Sequence, residues 1–402
     1  MAKVLPFKGT RYNPEKIKDL SKVMAPPYDV ISKEEQNQLY KLDPHNIVRI
    51  LLGKDYPGDN EKENRYTRAA IFLEEWQKQG ILKKDDSPSI YINLQEFRLN
   101  GRVRKRLGFI ALLKLEEFDT KTSTIYPHEN TLTAPKEDRA KLIRAIEANL
   151  GPIFAIFEDT DKSISRILQN IVKSNPLIDI VDTHGIRNKL CRISDKRIIE
   201  GISDLIKGKK IFIADGHHRY EVGLEFSKFK KDPRYRHILT YFTDLFGKDL
   251  VILPVHRLVK GLTKEAMPAL IDTLKKNFIV RNIRSKKETE SFLAATRPCE
   301  ARFVIYRDKK FTGLILENKK DLDVSIVKNL IIDKLRNISI DFTKDLDYAI
   351  KEVDKDSQCL AILVNPVQIT EIRDIAFLGN RMPQKSTYFY PKVLTGLVIN
   401  VF

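Results

Sequence analysis

Asp215-Gly216-His217-His218-Arg219 follows the apolar run Ile211-Phe212-Ile213-Ala214 and precedes Tyr220, Gly223 and Leu224, which begin a helical repeat. A strand is therefore expected to run into the pentapeptide and a helix to leave it. Gly216 lets the backbone turn tightly or approach a ligand closely. The amides after it would stand at a helix N-terminus, where unpaired N–H groups and the dipole favour an anion. Arg219 adds a planar fork of donors suited to phosphate oxygens. Asp215, at the strand's end, is placed to bind Mg²⁺ or to hold a neighbouring histidine in one tautomer. A plain turn with an aspartate cap and two surface histidines is the alternative, but adjacent histidines framed by Asp and Arg are unusual there. The chemistry indicated is phosphate handling.

Other segments carry weaker signals. Tyr126-Pro127-His128-Glu129-Asn130-Thr131 reads as a loop before a helix, where a carboxylate could be held against a substrate hydroxyl; a capped loop explains it equally well. Asp138-Arg139 resembles an ordinary surface pair unless its helix faces the site. In the run from Arg381 to Lys392, Lys385, Ser386 and Thr387 could bind phosphate, although core or loop packing is the favoured role from sequence alone. Leu253-Pro254-Val255-His256-Arg257 ends a strand, and its His and Arg either reach a site or line a surface. Ala25-Pro26-Pro27-Tyr28-Asp29 reads as a rigid turn. Gly-x-x-x-x-Gly-Lys-Ser/Thr, Gly-x-Gly-x-x-Gly and Gly-x-Ser-x-Gly are all missing, and His128-Glu129 lacks the second His of a zinc-protease helix.

The elements that must position these residues are mixed. Tyr66, Ala69, Ala70, Leu73 and Trp76 repeat at helical spacing before Gly80. Ile90 to Leu99, the Asn100-Gly101 turn and Leu107 to Leu115 read as a hairpin. Thr133 and Pro135 open a helix with Ile143, Ile146 and Leu150 on one face, ended by Gly151-Pro152. Ile153 to Phe157 and Ile178 to Val181 read as strands, and Leu262 to Phe278 as a helical run. The expected organisation is an N-terminal mixed α/β region over 1–120, a core over 121–247 and a C-terminal mixed α/β region over 248–402.

Lys and Arg number 71 against 54 acids, a net charge of +17. That balance suits nucleic acid, a membrane surface or an anionic substrate. Most of the bases are interleaved with acids, as on solvated faces. The dense cluster Arg102-Val103-Arg104-Lys105-Arg106 reads as one strand's exposed face near a turn. Cys191, Cys299 and Cys359 suggest neither a disulfide framework nor a zinc site, and the N-terminus lacks a secretory signal. A cytoplasmic protein is expected.

The same segments resemble a known family. Pro6-Phe7 with Arg11-Tyr12, Ala25 to Val30, Pro127 to Thr131, Ile213 to Glu221, Leu253 to Arg257 and Met382 to Tyr388 look like the ordered landmarks of the domain-of-unknown-function 1015 family. More distantly, His128-Glu129, Arg139, Pro152-Ile153 and Asp215 to Arg219 are similar in order to the ParB/sulfiredoxin-like superfamily. Its free-serine kinases carry both a His-Glu and an Asp-Gly-His-His-Arg loop. That resemblance implies a ParB/sulfiredoxin-like core and transfer of a phosphoryl group to the hydroxyl of L-serine, giving O-phospho-L-serine. It implies Glu129 as general base and Asp215 as holder of Mg²⁺ or the reacting phosphate. Gly216, His217, His218 and Arg219 would form the donor cradle, with Lys385 added. His128, Thr131 and Arg139 would lie on the acceptor side. The donor stays open among ATP, ADP and pyrophosphate. The alternative is a ParB-like, nucleotide-responsive DNA-binding protein, although no helix-turn-helix with a basic recognition helix is evident. A sulfiredoxin-like reaction would need a reactive cysteine, and Cys191 has no obvious activating surroundings.

Overall fold

The computed structural model describes residues 1–119 and 123–402. The domain limit expected at 120/121 lies outside the described residues. The chain is mixed α/β, with twelve α-helices and several sheets among the described residues. None of those helices is long and apolar enough to cross a membrane. Two compact units form: Met1–Pro127, Thr131–Leu250 and Pro391–Phe402 in the first, His128–Asn130 and Val251–Tyr390 in the second.

In the first unit, helix α1 (Arg65–Lys78) begins at an Asn64 capping box and buries Ala69, Leu73 and Trp76, the expected face. The hairpin is β1 (Ile90–Leu99) and β2 (Arg102–Lys114), so its second strand starts five residues earlier than the apolar pattern indicates. Then come β3 (Ile125–Tyr126), helix α2 (Thr133–Ile146), β4 (Ile153–Phe157), β5 (Ile178–Val181), β6 (Arg187–Ile193), β7 (Ile211–Asp215), helix α3 (His217–Lys230) and β8 (His237–Asp244). They make a sheet in the order β3-β7-β4-β8-β2-β1-β6-β5, with Val4–Leu5 beside β2. The β3–β7 and β4–β8 pairs are parallel and the rest antiparallel. Ile92, Phe109, Ala155, Phe157, Ile213 and Phe242 belong to its core, where the rings of Phe109 and Phe242 stack at 4.8 Å. α2 stops sooner than the apolar spacing suggests: Glu147 adopts a left-handed conformation (φ 43°), and Leu150 is buried from beyond the helix. The last residues are built into this unit, with Asn400–Val401 paired to Ala148–Asn149.

The second unit carries the short β9 (Val251–Leu253) and then β10 (His256–Lys260), β11 (Ile279–Ile283), β12 (Glu300–Arg307), β13 (Lys310–Glu317), β14 (Ser339–Thr343), β15 (Leu360–Leu363) and β16 (Tyr388–Tyr390). Six strands form an antiparallel sheet in the order β11-β13-β12-β15-β10-β14. Alternate residues feed separate cores: Phe303 and Ile305 on one, Val304 and Tyr306 on the other. Both cores contain helical residues, so near-continuous apolar strands such as Leu360–Leu363 are required. The polar stretch from Arg284 to Glu290 enters a helix, Lys286–Ala294, capped by Ser285.

His256 opens β10 rather than closing a strand, since Pro254 interrupts the chain between β9 and β10. It is buried, and its Nδ1 accepts the Val364 N–H at 3.2 Å. Burial, reinforced by Arg257, holds its pKa down at about 4 against an ordinary 6.5. The unfolded chain therefore takes up the proton first. Stability contributed by the neutral ring is complete above about pH 6.5 and falls towards pH 4 by about 1.4 kcal/mol per unit. Urea unfolding of the wild type and of His256→Asn between pH 7 and 4 should show their stability difference shrinking on acidification. A pH-independent difference would contradict this titration.

Candidate active site

In the first unit, β7 delivers Asp215 and α3 begins at His217, as the local pattern predicts. The register of β7 against β4 shifts between Ile213 and Asp215, a bulge that aims the Asp215 side chain away from the strand's regular alternation. Gly216 has φ +91°, and a Cβ there would meet Ile153 Cγ2 at 2.8 Å and Arg219 Nη2 at 2.9 Å. Only glycine satisfies both constraints. The N-cap residue of α3 is Gly216, which has no side chain to cap the first turn.

Asp215 holds two cations. Its Oδ2 accepts from Arg219 Nη2 at 3.0 Å, and its Oδ1 pairs with the Lys392 ammonium. Arg219 also donates from Nη1 to the Pro152 carbonyl at 2.8 Å, which fixes the guanidinium over the start of β4. Lys392 is positioned by the cross-strand pair Gln95 and Arg106. Gln95 Nε2 donates to the Lys392 carbonyl at 3.0 Å, and Arg106 donates to the Pro391 carbonyl and to Gln95 Oε1. Arg106 is buried, with its guanidinium 4.6 Å from the Phe154 ring centre. Burial depresses its pKa, and the Asp215 charge opposes that shift. The expectation that Arg102 to Arg106 form one exposed face is thus corrected at Arg106; Arg102 and Lys105 are exposed.

The remaining predicted residues of this unit are all engaged. His217 is buried, and His218 Nε2 accepts the Leu132 N–H at 2.9 Å, so the ring proton of the neutral form resides on Nδ1. Thr131 Oγ1 donates to Glu221 Oε2 at 2.6 Å. These two bonds tie the segment entering α2 to α3. Arg139 is no surface residue: only 7% of it is exposed. It bonds Asp138 and the Leu51 carbonyl, and it lies 4.0 Å from the Tyr28 ring centre. Arg139, Tyr28 and Arg219 line one largely apolar pocket together with Leu142 and Ile153. Tyr28 is held neutral above its ordinary range, chiefly by burial.

In the second unit, Glu129 forms a parallel bridge with Met382, and its Oε1 accepts the Lys385 backbone N–H at 2.7 Å. Lys385 has φ +55°, a conformation that turns this amide towards the carboxylate. His128 is fully buried; its Nε2 lies 3.2 Å from Thr387 Oγ1 and its ring meets Phe389 edge-on. Ser386, also buried, donates to the Pro383 carbonyl. Glu129 also acts electrostatically on buried Arg257.

Two contributors to the Asp215 cluster escape the sequence reading. Lys392 lies in the donor-rich run already noted, but nothing distinguishes it from Lys385. Arg106 is the last base of the cluster Arg102 to Arg106, and nothing in the sequence sets it apart from its neighbours. Among the described residues, no group of three His, Cys, Asp or Glu side chains is arranged around a metal position. A Mg²⁺ site needs fewer protein ligands than that, because phosphate oxygens and waters complete its octahedron. Asp215 is the carboxylate of the pentapeptide that could contribute to such a site.

The chain belongs to the family described as Protein of unknown function (DUF1015), whose profile matches residues 4–339. Among solved structures it is similar to a conserved hypothetical protein from Pyrococcus furiosus, at 13% identity and TM-score 0.38, covering 67% of this chain and 89% of that one. SbnI with a C-terminal truncation, from Staphylococcus aureus, gives 11% identity and TM-score 0.41 over 71% of this chain and 85% of that one. A free serine kinase in complex with AMP gives 12% and 0.38, over 72% and 96%. No curated protein sequence matches.

Gly216→Ala should cost about 1–3 kcal/mol through the strained backbone and the clash with Ile153. It should also abolish any thermal stabilisation that the wild type gains from inorganic pyrophosphate. Urea unfolding and thermal shifts measure both effects; an unchanged variant would remove the need for glycine here.

Proposed function

We propose that this protein is a small-molecule kinase, transferring a phosphoryl group from ATP, ADP or pyrophosphate to the hydroxyl of free L-serine. The observation that carries this reading is the Asp215 carboxylate locked between Arg219 and Lys392 at the glycine turn that opens α3. Two cations on one anion leave a positive surplus beside a helix N-terminus, the electrostatics that a transferring phosphoryl group requires. Gly216, His217, His218 and Arg219 form the proposed donor cradle, and Lys392 joins Lys385 as a phosphate-binding candidate. Residues 121–247 are the proposed ParB/sulfiredoxin-like core.

Glu129 is the proposed general base, on the sequence resemblance and on its chemistry. Its Oε1 is held by a backbone amide, which orients the carboxylate without neutralising it. The base accepts the alcohol proton as the new O–P bond forms. His128, Thr131 and Arg139 are assigned to the acceptor side. When bound, Mg²⁺ held by Asp215 and donor oxygens would neutralise phosphate charge. The chain's own cations orient the donor.

The test is incubation with L-serine, Mg²⁺ and each donor in turn, with O-phospho-L-serine detected by mass spectrometry. Glu129→Gln should lower kcat by about 100-fold or more. Lys392→Met should raise the donor KM, with folding checked by thermal melting. Full turnover in Glu129→Gln rejects the proposed base. Steeply salt-dependent duplex DNA binding without turnover would favour the ParB-like alternative.

A further inference from the structure

Arg257 is the most exceptional charge in the second unit. It sits in β10 between two antiparallel neighbours, opposite Phe342 of β14 and Ile362 of β15. Only 3% of the residue is exposed. Burial lowers its pKa to about 10, which leaves it cationic at neutral pH. A guanidinium has five N–H donors. Among the described residues, that of Arg257 makes one hydrogen bond, to the carbonyl of its near neighbour Val255, and no ion pair. The Phe342 ring lies 5.9 Å away at the centroid. The other N–H groups have no protein partner among the described residues, yet none is a fully enclosed unsatisfied atom, so they stay open to an anion that would compensate a largely buried charge.

The surroundings indicate which anion. Leu253, just before the Pro254 break, pairs with Tyr388, the residue after Thr387, which meets His128. The segment that ends in Arg257 is thereby tied to the loop that carries Glu129. Glu129 is the acid whose charge acts on Arg257. A phosphate dianion beside that carboxylate would be repelled more strongly than a singly charged carboxylate. A planar guanidinium also matches a carboxylate in two parallel hydrogen bonds.

We propose that Arg257 binds the carboxylate of the acceptor, selecting a hydroxy-amino acid whose hydroxyl is presented to Glu129. The assignment rests on the kinase reading and deepens it by naming what the acceptor must carry besides a hydroxyl. Arg257 is then a specificity residue for the acceptor. Donor binding should be indifferent to it.

The experiment compares L-serine, L-serinamide and 2-aminoethanol as acceptors for the full-length protein. The wild type should favour serine strongly over the two compounds without a carboxylate. Arg257→Met should raise the serine KM about 10- to 100-fold, the effect of losing hydrogen bonds to a charged group. Its activity on 2-aminoethanol and its donor KM should hold. Arg257→Lys, which keeps the charge without the fork, should fall between, and thermal melting checks both folds. A wild type that uses serinamide as well as serine overturns the assignment, and that measurement needs no variant. A rise in donor KM with serine KM unchanged would also overturn it, by giving the guanidinium to phosphate. If the wild type phosphorylates none of the three while still binding serine with dependence on Arg257, the kinase reading fails and the carboxylate site stands.

Discussion

The Asp215 carboxylate is only 15% exposed, and its charge has to be compensated where it stands. Removing one partner from a buried ion pair costs about 3–5 kcal/mol, because the remaining charge is stranded. Much of the first unit serves this balance. The β7 bulge re-aims the side chain, Gly216 admits Arg219 close to the backbone, and the Pro152 carbonyl fixes the guanidinium. The Gln95 and Arg106 pair grips the backbone of Pro391 and Lys392, so the ammonium arrives from a point 177 residues along the chain. Asp215 is in this sense the organiser of the cations as much as their partner.

That arrangement explains what the sequence makes legible. The strand, glycine turn and helix around Asp215 are contiguous, so local patterns suffice to place them. The same holds for α1, whose apolar repeat and Asn64 cap agree. Lys392 and Arg106 depend on pairings remote in sequence, and no local rule separates Lys392 from Lys385. Arg106 shares alternation with Arg102 and Arg104, yet the returning C-terminal segment covers only the inner end of that row. Coverage by a distant segment decides burial there, and residue type does not reveal it.

Backbone chemistry hides other features. A lysine at 385 advertises a charge, but what reaches Glu129 is its amide, turned by a positive φ. Leu253 to Arg257 reads as a strand's end because it is apolar before a basic pair. Pro254 instead separates two strands, and His256 and Arg257 enter the middle of a sheet. The apparent helical face through Ile143, Ile146 and Leu150 fails for a similar reason. Glu147 turns the chain left-handed, and Leu150 reaches the interior by another route.

The acids and bases of the Asp215 cluster also bear on the kind of anion it suits. Arg219 and Lys392 are already immobilised, so an incoming oxyanion incurs little side-chain ordering cost. It must nevertheless share both cations with Asp215, which weakens attraction for a singly charged ligand. A polyphosphate has enough charge to draw on the surplus of the two cations and on buried Arg106 while Asp215 stays in place. In the proposed donor cradle, its several oxygens would be shared between the N-terminus of α3 and the side-chain donors. On the proposed kinase reading, retaining Asp215 would set a threshold: the cluster would discriminate against small monoanions and favour a donor with several closely spaced negative charges.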